Sequence, residues 1–505
     1  MTLLDVIKAD VGLSPIHLAT IVVFCLAILY IGLVRRPAFP ARSPKIIRGN
    51  WPIVGSLGFW RKRYDWWIEA GEQAETKNFS FHVGKHRLVG TFSEEGRKTF
   101  FNHRQLGFTE GYAVLFGQSP SYDETGSDEE LHLTNDHFHR RIAALLKTEK
   151  LVKVLPTLIA DVSSGLQELA VTSPDETDPF DSIYKLVYRL TLRIVGATEI
   201  AESPHLSDQT LHLFGQIEQT ARPYQIIWPW LPSPALFTRY WAGAKMYMIF
   251  SKILNARKKT EQKLDDPLQF LVNQGDDIRQ IISFIVGALF AGQLNSGYNA
   301  AWILCYLATY PRWLNQVRKE VSVVADKHIP GSDTLVQKLS KLPLEVWEHG
   351  FPTIELCLRE SIRLQLHGSG FRKNISGKDV IIDDEVVPPG GFLVYHFGHH
   401  LRNQEIYQDP EKWEPERYLP DRAEDKKSPN AYVGWGTGRH PCLGMRFAKL
   451  EQNIIAAFFC AIFDFELFDS TGAKMVNPPE PQVNAWSACG PEMSVKLRYK
   501  PRNKE

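Results

Sequence analysis

Apolar and polar positions divide the chain into a short N-terminal segment and a long body. Residues 16–34, IHLATIVVFCLAILYIGLV, are nineteen mostly apolar positions, about the length that a helix needs to cross a bilayer. Residues 35–52 then bring basic side chains and four prolines, which indicate a stiff, basic connector. Because basic residues stay on the cytosolic side of a membrane, we predict a transmembrane anchor at 16–34 and a cytosolic domain at 53–505. A buried core helix is the alternative for 16–34, and the abrupt basic end favours the anchor.

The body shows mainly helical spacing, with a few strand patterns. Residues 79–92, FSFHVGKHRLVGTF, predict a hairpin that turns near Gly84. Apolar residues recur at helical spacing from about 135 to 365, and the longest run, 276–309, has a glycine-containing interruption at FAGQLNSG. Strand patterns return at VIIDDEVVPPGGFLVYH and after the last helix, with an irregular proline-rich stretch at 407–430. The predicted fold class is mainly α with minor β, in one large unit.

The overall charge of the chain bears on whether it binds nucleic acid. Lysine and arginine total 58 against 57 aspartates and glutamates, whereas nucleic-acid-binding domains carry a basic excess. The apolar share of 44% is ordinary for a globular protein. We therefore expect no nucleic-acid partner.

The six cysteines include no C-x-x-C pair. This spacing argues against a disulfide scaffold or a zinc site and indicates a reducing compartment. Four of the cysteines lie in apolar, helix-like stretches, which are typical of inert buried thiols: Cys25, Cys305, Cys357 and Cys460.

Cys442 has different surroundings, because it lies in the glycine-rich stretch GWGTGRHPCLG. A tight turn explains the glycines, which let the backbone approach another group closely, but it does not explain the thiol. The following residues, MRFAKLEQNIIAAFF, predict a helix. Cys442 therefore lies at a helix start, where unpaired N–H groups and the helix dipole stabilise a thiolate.

Two further motifs supply paired charges. ELCLRESIRLQ places Glu360 and Arg363 three residues apart on one helix face, where they can form an ion pair. WEPERYLP supplies Arg417. A lone E-x-x-R is usually a surface ion pair, but these motifs occur together with the cysteine loop and with LFAGQLNSG.

These four motifs, in the order in which they occur along the chain, resemble those of a heme-thiolate monooxygenase of the cytochrome P-450 superfamily, and the resemblance extends over residues 16 to 505. WGTGRHPCLG is similar to the family's cysteine-ligand loop, with Gly438, Cys442 and Gly444 in the expected places. Trp435 replaces the usual phenylalanine beside the sulfur, and His440 replaces the arginine that meets a heme propionate. The resemblance implies a large single heme-thiolate monooxygenase fold, with heme b whose iron is ligated by the Cys442 thiolate.

The same resemblance assigns roles to other residues. It implies that Glu360, Arg363 and Arg417 form a buried network that fixes the cysteine loop. Arg372, in HGSGFRKN, would bind a heme propionate. His137 and Arg141 take the place of the family's W-x-x-x-R motif and would also meet a propionate, with a solvated basic helix face as the alternative.

AGQLNSG resembles the central helix on the other side of the heme. By resemblance, Ala291 and Gly292 lie against the cofactor, and the catalytic candidates are Gln293, Asn295 and Ser296. The implied substrate pocket contains Phe290, Leu294, His367, Ser369 and Phe371.

Most family members have an acid or histidine followed by threonine where this chain has Leu294 and Asn295, and they use that pair to deliver protons. Leucine cannot relay a proton, and an amide donates hydrogen bonds but hardly titrates. Our hypothesis is that Asn295 orients oxygen or a substrate oxygen, while ordered water or substrate carries the proton. A neutral packing replacement is the alternative.

His440, AGQ and FRK look most like the sterol 14α-demethylase branch, which normally has His-Thr at positions 294 and 295. The expected protein is therefore a biosynthetic relative with another substrate. The resemblance implies oxidation of a lipophilic small molecule, such as a secondary metabolite or a terpenoid or sterol-like compound. The reaction would use O2 and electrons from NADPH, delivered by a heme-thiolate reductase.

The predicted location is the endoplasmic reticulum membrane, with a single span and a cytosolic catalytic domain. Residues 224–237, YQIIWPWLPSPALF, are apolar and aromatic and predict a lipophilic entrance that dips into the bilayer. A buried loop between helices is the alternative for this segment. Two other functions stay open at this point: a heme-thiolate enzyme that rearranges or dehydrates its substrate without consuming oxygen, and a heme-binding protein without turnover.

Overall fold

The computed structural model describes residues 16–17, 19–24, 36–115, 128–220, 223–228, 231–261 and 263–502. Residues 16–17 and 19–24 are helical and exposed, and the rest of the predicted 16–34 anchor lies outside the described residues. Within the described part of the chain, one helix is long and apolar enough to span a membrane, Ile278–Thr309. Its apolar window is more than half buried in the protein.

Helices make up most of the described chain, as predicted. They are α1 (Gly58–Arg61), α2 (Arg63–Gln73), α3 (Glu94–Asn102), α4 (Phe108–Leu115), α5 (Asp128–Leu145), α6 (Thr148–Thr172), α7 (Pro179–Val195), α8 (Thr198–Glu202), α9 (Pro204–Gln219), α10 (Pro223–Ile227), α11 (Pro234–Thr260), α12 (Pro267–Asn273), α13 (Ile278–Thr309), α14 (Pro311–His328), α15 (Leu335–Ser340), α16 (Leu344–His349), α17 (Pro352–Gln365), α18 (Phe397–Leu401) and α19 (Met445–Ile462), with short 3-10 turns at Pro415–Tyr418 and Glu424–Lys426.

The strands form three small sheets. They are β1 (Asn50–Trp51), β2 (Gly55–Ser56), β3 (Asn78–Val83), β4 (His86–Thr91), β5 (Leu106–Gly107), β6 (Glu176–Thr177), β7 (Ser369–Asn374), β8 (Val380–Ile382), β9 (Glu385–Val387), β10 (Phe392–His396), β11 (Phe463–Asp469) and β12 (Val495–Pro501). The sheet orders are β1-β2-β3-β4-β10-β7-β5, β11-β12-β6 and β8-β9. The β3–β4 pair is the predicted hairpin, and Gly84 forms its turn with a φ of +55°.

Several helices begin at a serine or aspartate that is followed by proline. The side chain of the first residue accepts a backbone N–H bond from the first turn, and this residue is Asp178, Ser203, Ser233 or Asp266. Such a cap satisfies an N–H group that has no partner inside the helix, and the fixed φ of proline suits the first helical position. These helix starts are therefore determined locally.

Helix α13 is the central element, packed against α7, α17 and α19. A capping box opens it, in which Asp277 accepts the N–H of Gln280 and the Gln280 side chain accepts the N–H of Asp277, both at 2.9 Å. The predicted interruption at FAGQLNSG does not break the helix. Glycine is needed there for close packing, because a Cβ at Gly297 would lie 2.5 Å from the Tyr184 ring of α7.

Candidate active site

The cysteine loop is a tight turn that requires its glycines. Gly436 and Gly438 have φ values of +65° and +64°, which glycine adopts without steric cost. A Cβ at Gly438 would also lie 2.6 Å from the carbonyl oxygen of Phe101. The N–H of Cys442 donates to the carbonyl of Trp435 at 2.7 Å, so the loop closes on itself. It presents the exposed Cys442 side chain just before α19 begins.

Opposing effects act on the Cys442 sulfur. Although the side chain reaches open space, protein atoms surround the thiol, and this desolvation raises its pKa. The N–H groups of Gly444 and Met445, at the start of α19, act in the opposite direction. The N–H groups at the helix start therefore favour the thiolate, but the effect of burial on the pKa is larger. Coordination to a metal ion deprotonates a thiol outright.

Beside the loop lies a buried cation among aromatic rings. The guanidinium carbon of Arg372, on β7, is 4.3 Å from the ring centroid of Phe100 and 4.7 Å from that of Phe108. His440 stacks on Phe108 at 5.2 Å. Burial lowers the pKa of Arg372 to about 10 and, together with the nearby Arg372 charge, lowers the pKa of His440 to about 4. The site thus contains a cation and a neutral imidazole, and both can donate hydrogen bonds to a carboxylate.

Glu360 is the centre of a buried ionic network. Its carboxylate accepts hydrogen bonds from Arg363 at 2.8 and 2.9 Å, from Arg417 at 3.0 Å and from the Tyr418 hydroxyl at 2.9 Å. The three charged side chains are fully buried. Arg363 also donates to the carbonyl of Leu401 at 2.8 Å. The structure therefore brings Glu360, Arg363 and Arg417 together and ties α17 to the irregular segment that precedes the cysteine loop.

Helix α17 also contacts the residues that lead into the loop. The Arg359 guanidinium carbon lies 4.8 Å from the Tyr432 ring centroid, and the Tyr432 hydroxyl donates to the Arg359 carbonyl at 3.2 Å. A Cβ at Gly434 would stand 2.4 Å from that hydroxyl. These contacts join α17 to the residues before the loop, and the role of the Glu360 network in fixing the loop stays a prediction.

Helix α13 has one open face in its buried middle. Between residues 281 and 309, the exposed positions are Ala291 and Asn295, which lie one turn apart on the same face. The Asn295 amide donates to the Ala291 carbonyl at 3.3 Å. Gln452 donates to the Ser296 carbonyl at 3.0 Å, and Gln452 is about 10 Å along α19 from the end that carries the cysteine loop. This part of α13 therefore packs on α19, the helix that follows the loop.

The remaining AGQLNSG residues are turned away from this open face, and their predicted roles toward heme and substrate stay predictions. Leu294, predicted to line the pocket, is 3% exposed and belongs to the main hydrophobic core. Gln293 is buried and donates to a backbone carbonyl of α7, and Gly292 also faces α7. Ser296 is buried and hydrogen-bonded to Glu451 of α19. Each residue turns about 100° around the helix, so these neighbours do not share the open face.

His137 and Arg141 both contact the carboxylate of Asp276, whereas the sequence predicted contact with a heme propionate. His137 Nε2 lies 3.0 Å from an oxygen of Asp276, and Arg141 donates to both oxygens of the same carboxylate at 2.7 and 2.9 Å. Asp276 is nearly fully buried and immediately precedes α13. The two basic residues therefore join α5 to the start of the central helix, and contact with a propionate stays a prediction.

The predicted pocket residues that follow α17 are close together in the sequence, and all of them are buried. His367 has neither ring nitrogen hydrogen-bonded within the described chain, and the Ser369 hydroxyl is likewise without a partner there. The Phe371 ring packs on Tyr112 at 5.7 Å, while the half-buried Phe290 packs on a ring of α9. Buried polar groups without partners mark positions where a ligand or water completes the hydrogen bonding.

Sequence reasoning missed Phe108, Tyr112 and Glu451. Phe108 and Tyr112 lie on α4 and contact His440 and Arg372, and no motif pointed to this short helix. A signal for Glu451 existed, because it is the single acidic residue in the MRFAKLEQNIIAAFF run. Burial raises the pKa of Glu451 to about 8, so this carboxyl is mostly protonated at neutral pH.

Comparisons with known proteins agree with this geometry. The family profile described as Cytochrome P450 matches residues 48–485. Cytochrome P450 monooxygenase AacuE of Aspergillus aculeatus is 32% identical over 500 residues, which are 96% of this chain and 98% of the relative. Cytochrome P450 monooxygenase nsrP of Aspergillus novofumigatus is 34% identical over 463 residues, which are 88% of this chain and 87% of the relative. Sterol 14-demethylase of Arabidopsis thaliana is 28% identical over 342 residues, 65% of each chain.

A solved structure shares the fold. Retinoic acid bound cyanobacterial CYP120A1 superposes with a TM-score of 0.68 at 20% identity, covering 90% of this chain and 99% of that one. Fold and site thus define a heme-thiolate oxidoreductase. The chain belongs to the cytochrome P450 family, and the sterol demethylases are more distant relatives than the fungal monooxygenases.

The residues of the site fit heme b ligated by the Cys442 thiolate. Cys442 is an exposed residue, and no protein atom lies within 4 Å of where a Cβ on Gly444 would stand. Within the described chain, Arg372 Nε and Trp435 Nε1 are buried without hydrogen-bond partners, and the Arg372 cation suits a propionate. When bound, heme supplies the oxidising chemistry, and the protein provides the ligand, the orientation and the surrounding charges.

Proposed function

We propose that this protein is a monooxygenase that oxidises a lipophilic small molecule with O2, using electrons from NADPH delivered by a heme-thiolate reductase. The observation that carries the proposal is the position of Asn295, an exposed polar side chain in the mostly buried middle of α13, where this helix packs on α19, the helix that follows the cysteine loop. A secondary metabolite or a terpenoid or sterol-like compound is the proposed substrate class. The named monooxygenase relatives and the apolar pocket residues support it.

Asn295 is proposed to orient oxygen or a substrate oxygen. Its side-chain amide donates to a carbonyl of its own helix at 3.3 Å, a long hydrogen bond, so the group is able to exchange that partner for a ligand. An amide both donates and accepts hydrogen bonds but hardly titrates. Water or substrate therefore carries the proton in this proposal.

The experiment that tests the function is expression in a reductase-containing host, followed by metabolite profiling and measurement of NADPH and O2 consumed per product. A monooxygenase consumes one NADPH and one O2 for each oxygen atom inserted. Product formed without either would show a rearrangement or dehydration. Heme binding with no product from any candidate substrate would favour a protein without turnover.

Membrane attachment is proposed through the N-terminal run and a second apolar surface. The predicted entrance at 224–237 divides into two parts. Its first part packs on the β3–β4 hairpin, since Ile226 is buried in that cluster and Ile227 lies against Gly84. An exposed stripe follows on the first half of α11, at Phe237, Tyr240, Trp241, Tyr247 and Met248. Aromatic residues at such a surface suit a membrane interface, and we place the bilayer contact there.

A further inference from the structure

Arg63 is a buried arginine outside the motifs discussed above. It is the first residue of α2 and is 2% exposed. The other end of the chain holds this helix start, because the side-chain oxygen of Asn484 accepts the N–H groups of Tyr64 and Asp65 at 3.0 and 3.2 Å. The position of Arg63 is therefore determined by contact between two distant segments.

Aromatic rings enclose the Arg63 guanidinium. Its central carbon lies 4.3 Å from the ring centroids of Phe59 and Trp486 and 5.9 Å from that of Phe371. Tyr112 is close enough to act on its charge and packs on Phe371. Phe371 belongs to the predicted substrate pocket, so Arg63 lies against one wall of that pocket.

The hydrogen-bonding capacity of Arg63 is largely unused. A guanidinium has five N–H donors, yet Nε donates to the Phe59 carbonyl at 3.3 Å and Nη2 is buried without a partner among the described residues. No carboxylate of the described chain acts on its charge. Burial lowers the pKa of Arg63 to about 9, which leaves it charged at neutral pH. Aromatic faces attract the cation but do not accept its in-plane hydrogen bonds, and a buried charge without an acidic partner is costly.

We infer that Arg63 binds the carboxylate of a lipophilic acid, and that this acid group belongs to the substrate. The inference rests on the proposed function and narrows its substrate class. Flat rings around the cation suit an aromatic or extended apolar skeleton, and the ion pair fixes which end of the skeleton points away from Arg63. A neutral terpene or sterol offers no partner to this charge.

Heme propionates are a second source of carboxylate near this region. They are predicted to meet Arg372 and His440. Phe371 and Arg372 are consecutive residues of β7 and therefore point to opposite faces of the strand. Arg63 packs on the Phe371 side, whereas Phe108 packs on the Arg372 side. Tyr112 contacts both residues, because it packs on Phe371 and hydrogen-bonds to Arg372. The opposite directions of Phe371 and Arg372 favour a substrate acid at Arg63, and the heme content of Arg63→Met tests the propionate alternative.

The test uses two probes that differ in charge, anthracene-2-carboxylic acid and its methyl ester. Equilibrium dialysis with the heme-loaded full chain gives the dissociation constant of each. We expect the acid to bind at least about tenfold more tightly than the ester, since a hydrogen-bonded charge pair is lost with the ester. Arg63→Met should weaken binding of the acid and leave binding of the ester unchanged. Arg63→Lys should keep part of the preference for the acid. Arg61→Met is the same change at an exposed position and should leave both dissociation constants unchanged.

Equal affinity of the unmodified protein for acid and ester overturns the inference, whatever the variants do. A preference that persists in Arg63→Met also overturns it. Heme content and the carbon monoxide spectrum are measured in parallel, so a propionate role would show as heme loss in Arg63→Met with no acid preference in the unmodified protein. If the acid preference holds and depends on Arg63 while no oxidised product forms, the anion site stands and the proposed monooxygenase function fails.

Discussion

Cys442 lies in a turn whose glycines have positive φ and whose backbone bonds to itself, so local backbone geometry places the sulfur. The same loop rests on Phe101 through Gly438. Nearby, Arg372 and His440 share the Phe108 ring. At the residue scale, the site therefore combines one thiol, one cation and one neutral imidazole.

Replacing Cys442 by alanine should remove the iron ligand. The reduced, carbon monoxide-treated protein should lose the red-shifted Soret band of thiolate ligation, because alanine has no sulfur to coordinate iron. Cys489→Ala, at a half-buried thiol elsewhere, is the control and should keep the band. An unchanged spectrum in Cys442→Ala would contradict the assignment.

Replacing Asn295 by alanine should lower product formation roughly tenfold or uncouple NADPH use from it, because a hydrogen bond to the reacting groups is lost. Heme content should stay unchanged. Asn299→Ala is the matched control, since Asn299 lies one turn further on, is half-buried and donates to the Asn295 carbonyl. Product yield and coupling equal to the unmodified protein would leave Asn295 as a packing residue.

Glu451 should make stability depend on pH. Burial raises its pKa to about 8 from an ordinary 4.5, and the hydrogen bond with Ser296 opposes this. Between these values the folded state holds a proton that the unfolded state has lost, so stability falls as pH rises through the window. Glu451→Gln should be the more stable protein at about pH 9 and similar at about pH 4.5. Urea midpoints that differ by the same amount at both pH values would refute this explanation.

At the element scale, α17 connects the parts that frame the cysteine. Its Glu360 pairs with Arg363 one turn away and with Arg417 of the 3-10 turn, while the preceding Arg359 contacts Tyr432 before the loop. Helix α5 is joined to the start of α13 by His137 and Arg141 on Asp276. Each connection joins segments that are far apart in the chain, so a change in one segment is expected to disturb the other.

Glu360→Gln should be strongly destabilising. The change leaves the buried Arg363 without a carboxylate, whereas Arg417 keeps its ion pair with Glu424 at 3.0 Å. Breaking a buried charge pair costs about 3–5 kcal/mol. We expect a lower free energy of unfolding in urea and poor heme incorporation. Glu405→Gln, the same change at an exposed residue, is the control, and equal stability of the two variants would show that the network is dispensable.

At the scale of the whole molecule, the described chain carries an exposed aromatic stripe on α11 in addition to the apolar N-terminal run. Phe237, Tyr240 and Trp241 are each more than half exposed, although aromatic side chains of this size are usually mostly buried. A bilayer that receives both surfaces would hold the protein at two places.

Deleting residues 1–36 should therefore release much of the protein from membranes while the carbon monoxide spectrum persists. Adding Phe237→Ser and Trp241→Ser should release the remainder, because less apolar surface is transferred into lipid. Val323→Ser, at an exposed apolar position on α14, serves as the control. Sedimentation with microsomes measures the bound fraction. Loss of heme on truncation would instead make the N-terminal segment part of the fold.

Local patterns in the sequence determined much of the fold and part of the site. Alternation and Gly84 predicted the β3–β4 hairpin, helical spacing predicted the helical body, and the glycines of GWGTGRHPCLG predicted the turn at Cys442. The Glu360–Arg363 pair follows from a spacing of three residues on one helix. These features depend on neighbours within a few residues, so the sequence alone was enough to predict them.

Only the tertiary structure decided which faces meet. Leu294 is buried while Asn295 is exposed, because packing against α7 and α19 selects one face of α13. The meeting of Arg141 with Asp276 and the enclosure of Arg63 by Trp486 join residues far apart in the chain. Such contacts depend on how whole elements pack, and periodicity within one element carries no information about its partner.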